Sequence, residues 1–115
     1  MIQNTPTSYT VDNDEVVTIT VVATKVGEFA VASLDGGTLN PIGTAPLKYR
    51  FTATKSTGAN HFVVIFFHFP DSAPNDAKYD VSVTGSNGGG VFAADTILRS
   101  DPPTTWNTTL TFAVA

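Results

Sequence analysis

Residues 60–69, Asn60-His61-Phe62-Val63-Val64-Ile65-Phe66-Phe67-His68-Phe69, are the most apolar stretch of the chain, bounded by Gly58 before and Pro70 after. β-Branched and aromatic side chains dominate it, which predicts one strand crossing the middle of a packed sheet. Side chains alternate across a strand, so Val63, Ile65, Phe67 and Phe69 share one face, and Phe62, Val64, Phe66 and His68 share the other. Both faces are apolar, so both are expected to be covered, the first by the core. Two covers are open for the second. One is self-association through Phe62, Val64, Phe66 and His68. The other is the segment 35–46, with Leu39, Pro41 and Ile42, folding over it.

The same alternation recurs along the chain. Residues 7–11 read as a short edge strand opened by Pro6, and Asp12-Asn13-Asp14 as a turn. Residues 15–24 form a long strand with Val17, Ile19, Val21 and Ala23 on one face and a half-hydroxyl face opposite. After a turn at 25–27, residues 28–34 form another strand. The segment 35–46 holds paired glycines, two prolines and no period, so it reads as the longest loop. Strands are expected at 47–55 (Leu47, Tyr49, Phe51 and Ala53 inward), 78–84 (Tyr79, Val81 and Val83 inward), 91–98 and 106–115 (Leu110, Phe112 and Val114 on one face). Turns fall at 56–59, 70–77 and 85–90, and Pro102-Pro103 keeps 99–105 out of any strand interior.

No helical period of useful length and no internal repeat is present. The pattern predicts one domain over residues 1–115, an all-β, two-sheet antiparallel sandwich of seven or eight strands with immunoglobulin-like or related Greek-key topology. A local pattern bears on that topology. Ala77-Lys78-Tyr79-Asp80-Val81 resembles the tyrosine corner of immunoglobulin-like domains, where a Tyr opens the sixth strand two residues before a buried position. The resemblance implies a buried Tyr79 ring whose hydroxyl bonds backbone around 72–76.

Composition narrows the function classes. Hydrophobic residues make up 42% of the 115, ample for a core, but charged residues only 14%, against about 25% in an average domain. Thr, Val, Ser, Asn and Gly take their place, a composition that leans towards surface, secreted or virion proteins. The net charge of −4 argues against nucleic acid and anionic membranes, which need a basic face. The absence of cysteine removes disulfides, thiolate chemistry and cysteine-bound zinc. The first residues carry no signal-peptide pattern, and no apolar run reaches the ~18 residues of a membrane helix, so no membrane insertion is expected.

Candidate chemistry is sparse. His61 and His68 are an odd number of residues apart and fall on opposite faces, so they form no metal pair. His61 is expected in solvent and His68 beside Phe66. The glycines of 85–90 lack a following Lys-Ser/Thr and helix, so they form a turn rather than a phosphate loop. Asn107-Thr108-Thr109 has the form of a glycosylation acceptor. Trp106 is the candidate stacking platform for a sugar.

If each strand crosses the sandwich once, the segments 12–14, 35–46, 70–77 and 99–105 share one end. Of the ten carboxylates, Asp12, Asp14, Glu15, Asp35, Asp71, Asp76 and Asp101 would gather there. Loop carboxylates are calcium ligands, so a weak calcium site on Asp12, Asp14, Asp71 and Asp76 stands against the simpler reading of a solvated acidic rim. No other cofactor is indicated. The functional expectation is a non-enzymatic structural or protein-interaction module, self-associating or part of a surface or particle assembly. A small lectin-like, carbohydrate-binding module is the alternative, and an enzyme without a recognisable motif comes third.

Overall fold

Eight of the nine residues of Val16–Thr24 are β-branched, and such side chains fit a pleated, half-buried surface. The computed structural model describes residues 2–4, 8–26, 30–44, 46–55, 60–87, 92–99 and 105–115, and these form strands and turns without an α-helix. In chain order the strands are β1 (Gln3–Asn4), β2 (Tyr9–Val11), β3 (Val16–Thr24), β4 (Ala30–Leu34), β5 (Gly37–Leu39) and β6 (Gly43–Thr44). They continue as β7 (Leu47–Thr52), β8 (Asn60–His68), β9 (Lys78–Gly85), β10 (Phe92–Leu98) and β11 (Thr105–Val114). The predicted features at 5–7, 27–29, 56–59, 88–91 and 100–104, Asp101 among them, lie outside the described residues.

Two sheets pack face to face. One has the order β1-β2-β11-β8-β4-β5 and the other β10-β9-β3-β7-β6. The pairings are antiparallel except that of β11 with β2. The alternation read from sequence sets the core. Val63, Ile65, Phe67 and Phe69 are buried from the first sheet, and Val17, Ile19, Val21, Tyr49, Phe51, Tyr79, Val81 and Val83 from the second.

Strand order bears on the tyrosine-corner resemblance. β9, which carries Tyr79, hydrogen-bonds to β3 within one sheet. The corner strand of an immunoglobulin domain lies in the sheet opposite its second strand. Tyr79 is fully buried, as the pattern implied, but its hydroxyl donates to the carbonyl of His68 at 2.8 Å rather than to the 72–76 backbone. The bond thus ties the last residue of β8 to the start of β9, across the step between sheets. Tyr79→Phe removes the donor of this part-buried bond. We expect a loss of about 1–2 kcal/mol, read from the urea midpoint; an unchanged midpoint would deny this bond a structural role.

The segment 35–46 is not a single loop. Asp35 and Gly36 both have positive φ, and they close a two-residue hairpin in which Leu34 pairs with Gly37. Asp-Gly suits that turn because both positions need left-handed backbone. β5 then runs along the edge of the first sheet, and β6 along the edge of the second beside β7. The segment therefore passes around the side of the sandwich, with the Ile42 amide bonded to the Lys48 carbonyl. It does not cover the outer face of β8, which corrects one of the two covers expected for that face.

Candidate interaction surface

With 35–46 at the side, the outward residues of β8 are open. Val31 is 66% exposed, Phe62 45% and Phe66 41%, and His68 is exposed beyond them. Register arranges them in rows across the sheet. Val31 and Asn107 flank Phe66, Ser33 and Thr109 flank Val64, and Thr111 stands beside Phe62. None of these side chains is charged; on the other side of Phe62 stands Asp35, whose carboxylate accepts the Phe62 amide and pairs with His61. The outer face of the other sheet contrasts with it, since β7 turns Lys48 and Arg50 outward and β9 turns Lys78 and Asp80 outward. The exposed aromatic rings described on strand faces, Phe62 and Phe66, both belong to the neutral face. The predicted candidates Phe62, Val64, Phe66 and His68 thus come together, and Val31 of β4 joins them. The exposed Asn107, first residue of the glycosylation triplet, stands on this face directly across from Phe66.

Trp106 falls elsewhere. Its register partner is the buried Phe67, so position 106 follows the alternation of Leu110 and Phe112 rather than that of the outer face. Its side chain lies outside the described residues.

The four aspartates proposed for calcium are split between the two ends of the molecule, which corrects that site. At one end the Asp14 amide donates to the Ala53 carbonyl, and the Asn87 side chain donates to Asp12 Oδ2. At the other, Asp76 pairs with Lys25, and Arg99 reaches the Asp71 carbonyl and the Asn75 side chain. The physical reason is the hairpin at 35–36. β5 and β6 carry the chain back along the sandwich once more, so every later turn changes ends. The Lys25 ammonium, by its hydrogen bond and charge, holds the Asp76 carboxyl below the usual carboxylate range. Among the described residues, no three His, Asp or Glu side chains are grouped to hold a metal ion.

Glu15 is not part of an acidic rim either. It is fully buried, with Oε1 accepting the Asp12 amide at 2.9 Å and Oε2 the Asn87 amide at 3.3 Å. A carboxylate without contact to water is tolerated where backbone N–H groups replace that water. Here it joins the 12–15 turn to the end of β9.

His61, expected in solvent, is 4% exposed. Its ring packs against Phe51, and the Thr54 amide donates to Nε2 at 3.0 Å. Nε2 also lies 3.2 Å from the Thr54 carbonyl, and Nδ1 is 2.7 Å from Asp35 Oδ2. The other oxygen of Asp35 accepts the Phe62 amide at 2.7 Å. This carboxylate–imidazole pair resembles half of a hydrolytic triad. Its outer nitrogen, however, is engaged by backbone, where catalysis would need a nucleophile. The pair fastens the 35–36 hairpin and residue 54 to the start of β8. The strand period does place His61 on the inner face with Val63, Ile65 and Phe67, and its position at the strand end is what suggests solvent; its partners Asp35 and Thr54 are remote in sequence and carry no local signal.

Comparison with known proteins adds no relative: no family model, no curated protein and no solved structure matches this chain. No helix among the described residues is long and apolar enough to cross a membrane.

Proposed function

We propose that this chain is a non-catalytic interaction module that works by protein contact through the outer face of its six-stranded sheet. The observation that carries the reading is the group Val31, Phe62 and Phe66, each more than two-fifths exposed on a face whose described central rows carry no charge. Contiguous apolar surface of this kind marks contact sites more often than idle surface. The internal use of Asp35 and His61 supports the non-catalytic part, because the one nitrogen available for proton transfer is held by Thr54.

The finer topology is part of this proposal. Setting aside the hairpin β9–β10, the remaining strands follow an immunoglobulin-like plan. β4, β8 and β11 then take the places of the third, sixth and seventh strands in one sheet, with β3 and β7 in the other. What supports it is the central position of β8 between β11 and β4. The inserted hairpin pairs to the free side of β3.

A face kept for partners contributes little to the fold of the chain itself. Phe66→Thr should shift the unfolding free energy by less than about 1 kcal/mol at submicromolar concentration. It should also reduce binding of an apolar dye such as anilinonaphthalene sulfonate to the native state. The single tryptophan gives the fluorescence signal. A loss of several kcal/mol would show that Phe66 belongs to the core, and the reading would fall.

A further inference from the structure

We infer that the occupant of this face is a second copy of the same chain, seated face to face across a two-fold axis. The inference rests on the interaction-module reading and commits it to one partner.

Charge favours a copy. Each copy carries a net −4, a long-range repulsion that is screened by salt and common to any self-contact, so the choice of face turns on the charges brought close together. Among the described residues, the two central rows of this face, those of Phe66 and Val64, hold no charged side chain, and the Asp35 carboxylate at the Phe62 end is taken up by His61 and the Phe62 amide, whereas the opposite sheet presents Lys48, Arg50, Lys78 and Asp80. Rows without charge meet their own copy with no close like-charge pair. They also offer a charged partner nothing to recognise.

Relief favours it as well. Along β8 the rows alternate between large and small: the row of Phe66 with Val31 is tall, and that of Val64 with Ser33 and Thr109 is low. Rows on one face recur every second residue, roughly 7 Å apart. A two-fold axis lying across β8 at the level of Ile65 places Phe66 of each copy over the low row of the other. Phe62 then faces the other copy's His68. Two-fold pairing makes each such fit reciprocal, so one arrangement fills both low rows.

Area sets the strength. The thirty residues of β2, β4, β5, β8 and β11 give a flat sheet of about 500 Å², at the usual rise and strand spacing. Side-chain relief adds to this, yet the total stays near the lower bound of roughly 600 Å² per partner for stable complexes. The dimer should therefore be concentration-dependent, with a dissociation constant in the micromolar range.

Sedimentation equilibrium from low to high micromolar concentration tests this. The expected result is a mass rising from that of one chain towards twofold, with Phe66→Lys remaining a folded monomer throughout. The chain has no cysteine, so Val64→Cys supplies one thiol at the centre of the face. A bis-maleimide about 10 Å long, the separation of packed sheets, should join two copies at concentrations where the dimer forms. Three results would overturn the inference: a wild-type monomer at high micromolar concentration, a Phe66→Lys protein that dimerises like wild type, or a dimer that Val64→Cys does not cross-link. If the wild type stays monomeric while Phe66→Thr keeps its stability and loses dye binding, the interaction reading stands and only the choice of partner fails.

Discussion

Phe67→Ala should cost about 3–5 kcal/mol of folding stability, from a total of ~5–15 kcal/mol for a domain of this kind. The neighbouring Phe66 should cost a fraction of that. Phe67 has no exposure at all, and its ring lies 4.9 Å from that of Tyr79, which packs in turn against Phe69 at 5.1 Å. Removing the ring loses its transfer free energy and opens a cavity between the sheets. Backbone pairing on both sides of β8, with β11 and β4, keeps the strands from closing the gap. The urea midpoint, followed by tryptophan fluorescence, should therefore fall steeply and leave a marginal domain. A loss below about 1 kcal/mol would mean that β8 is out of register by one residue, because such a slip exchanges its two faces completely.

That contrast between adjacent phenylalanines is legible in the amino-acid sequence, since a strand period of two leaves no freedom once one face is assigned. The alternations of β7, β8 and β9 are legible for the same reason: each strand is long enough for its period to show. The segment 35–46 is harder to read. β5 and β6 have three and two residues, too few for any period, and the glycines and prolines around them resemble loop. Yet Asp35-Gly36 is a strong hairpin signal, and taken at face value it predicts the extra traverse. Without that traverse the end assigned to every later turn is reversed, and the calcium site on Asp12, Asp14, Asp71 and Asp76 depended on that assignment. The partners of His61, Glu15 and Tyr79 have no comparable local signal. His61 and Glu15 contact groups 26 and 72 residues away, and Tyr79 bonds a carbonyl 11 residues back. Such bonds follow from the assembled sheets, not from local pattern. On the outer face the period of β8 identifies four residues, while Val31 is added only by the register of β4 with Phe66.

Gly85→Ala should be the most damaging small substitution outside the apolar core, at about 2–4 kcal/mol, from overpacking of roughly 1–3 kcal/mol and weakened bonds to a charged group of ~1.5–3 kcal/mol. Gly85 ends β9 opposite Val17, and a Cβ there would stand 2.1 Å from Glu15 Oε2 and 2.7 Å from Ile2 Cγ1. A flexible side chain can ordinarily retreat from such a contact. Glu15 has no free direction, because it is fully buried and its oxygens hold the Asp12 and Asn87 amides, and Ile2 is buried beside it. Moving the carboxylate would break bonds that replace its hydration. The stiffer unfolded chain of the alanine variant returns about 0.4–1 kcal/mol, too little to reverse the sign. A double-mutant cycle isolates the cause. Glu15→Ala should itself be costly, since it strands two amides, but it removes the obstacle, so adding Gly85→Ala in that background should cost clearly less than in wild type. Equal costs in both backgrounds would show that the two sites act independently, and the packing of Glu15 against Gly85 would then not be what requires glycine at this position.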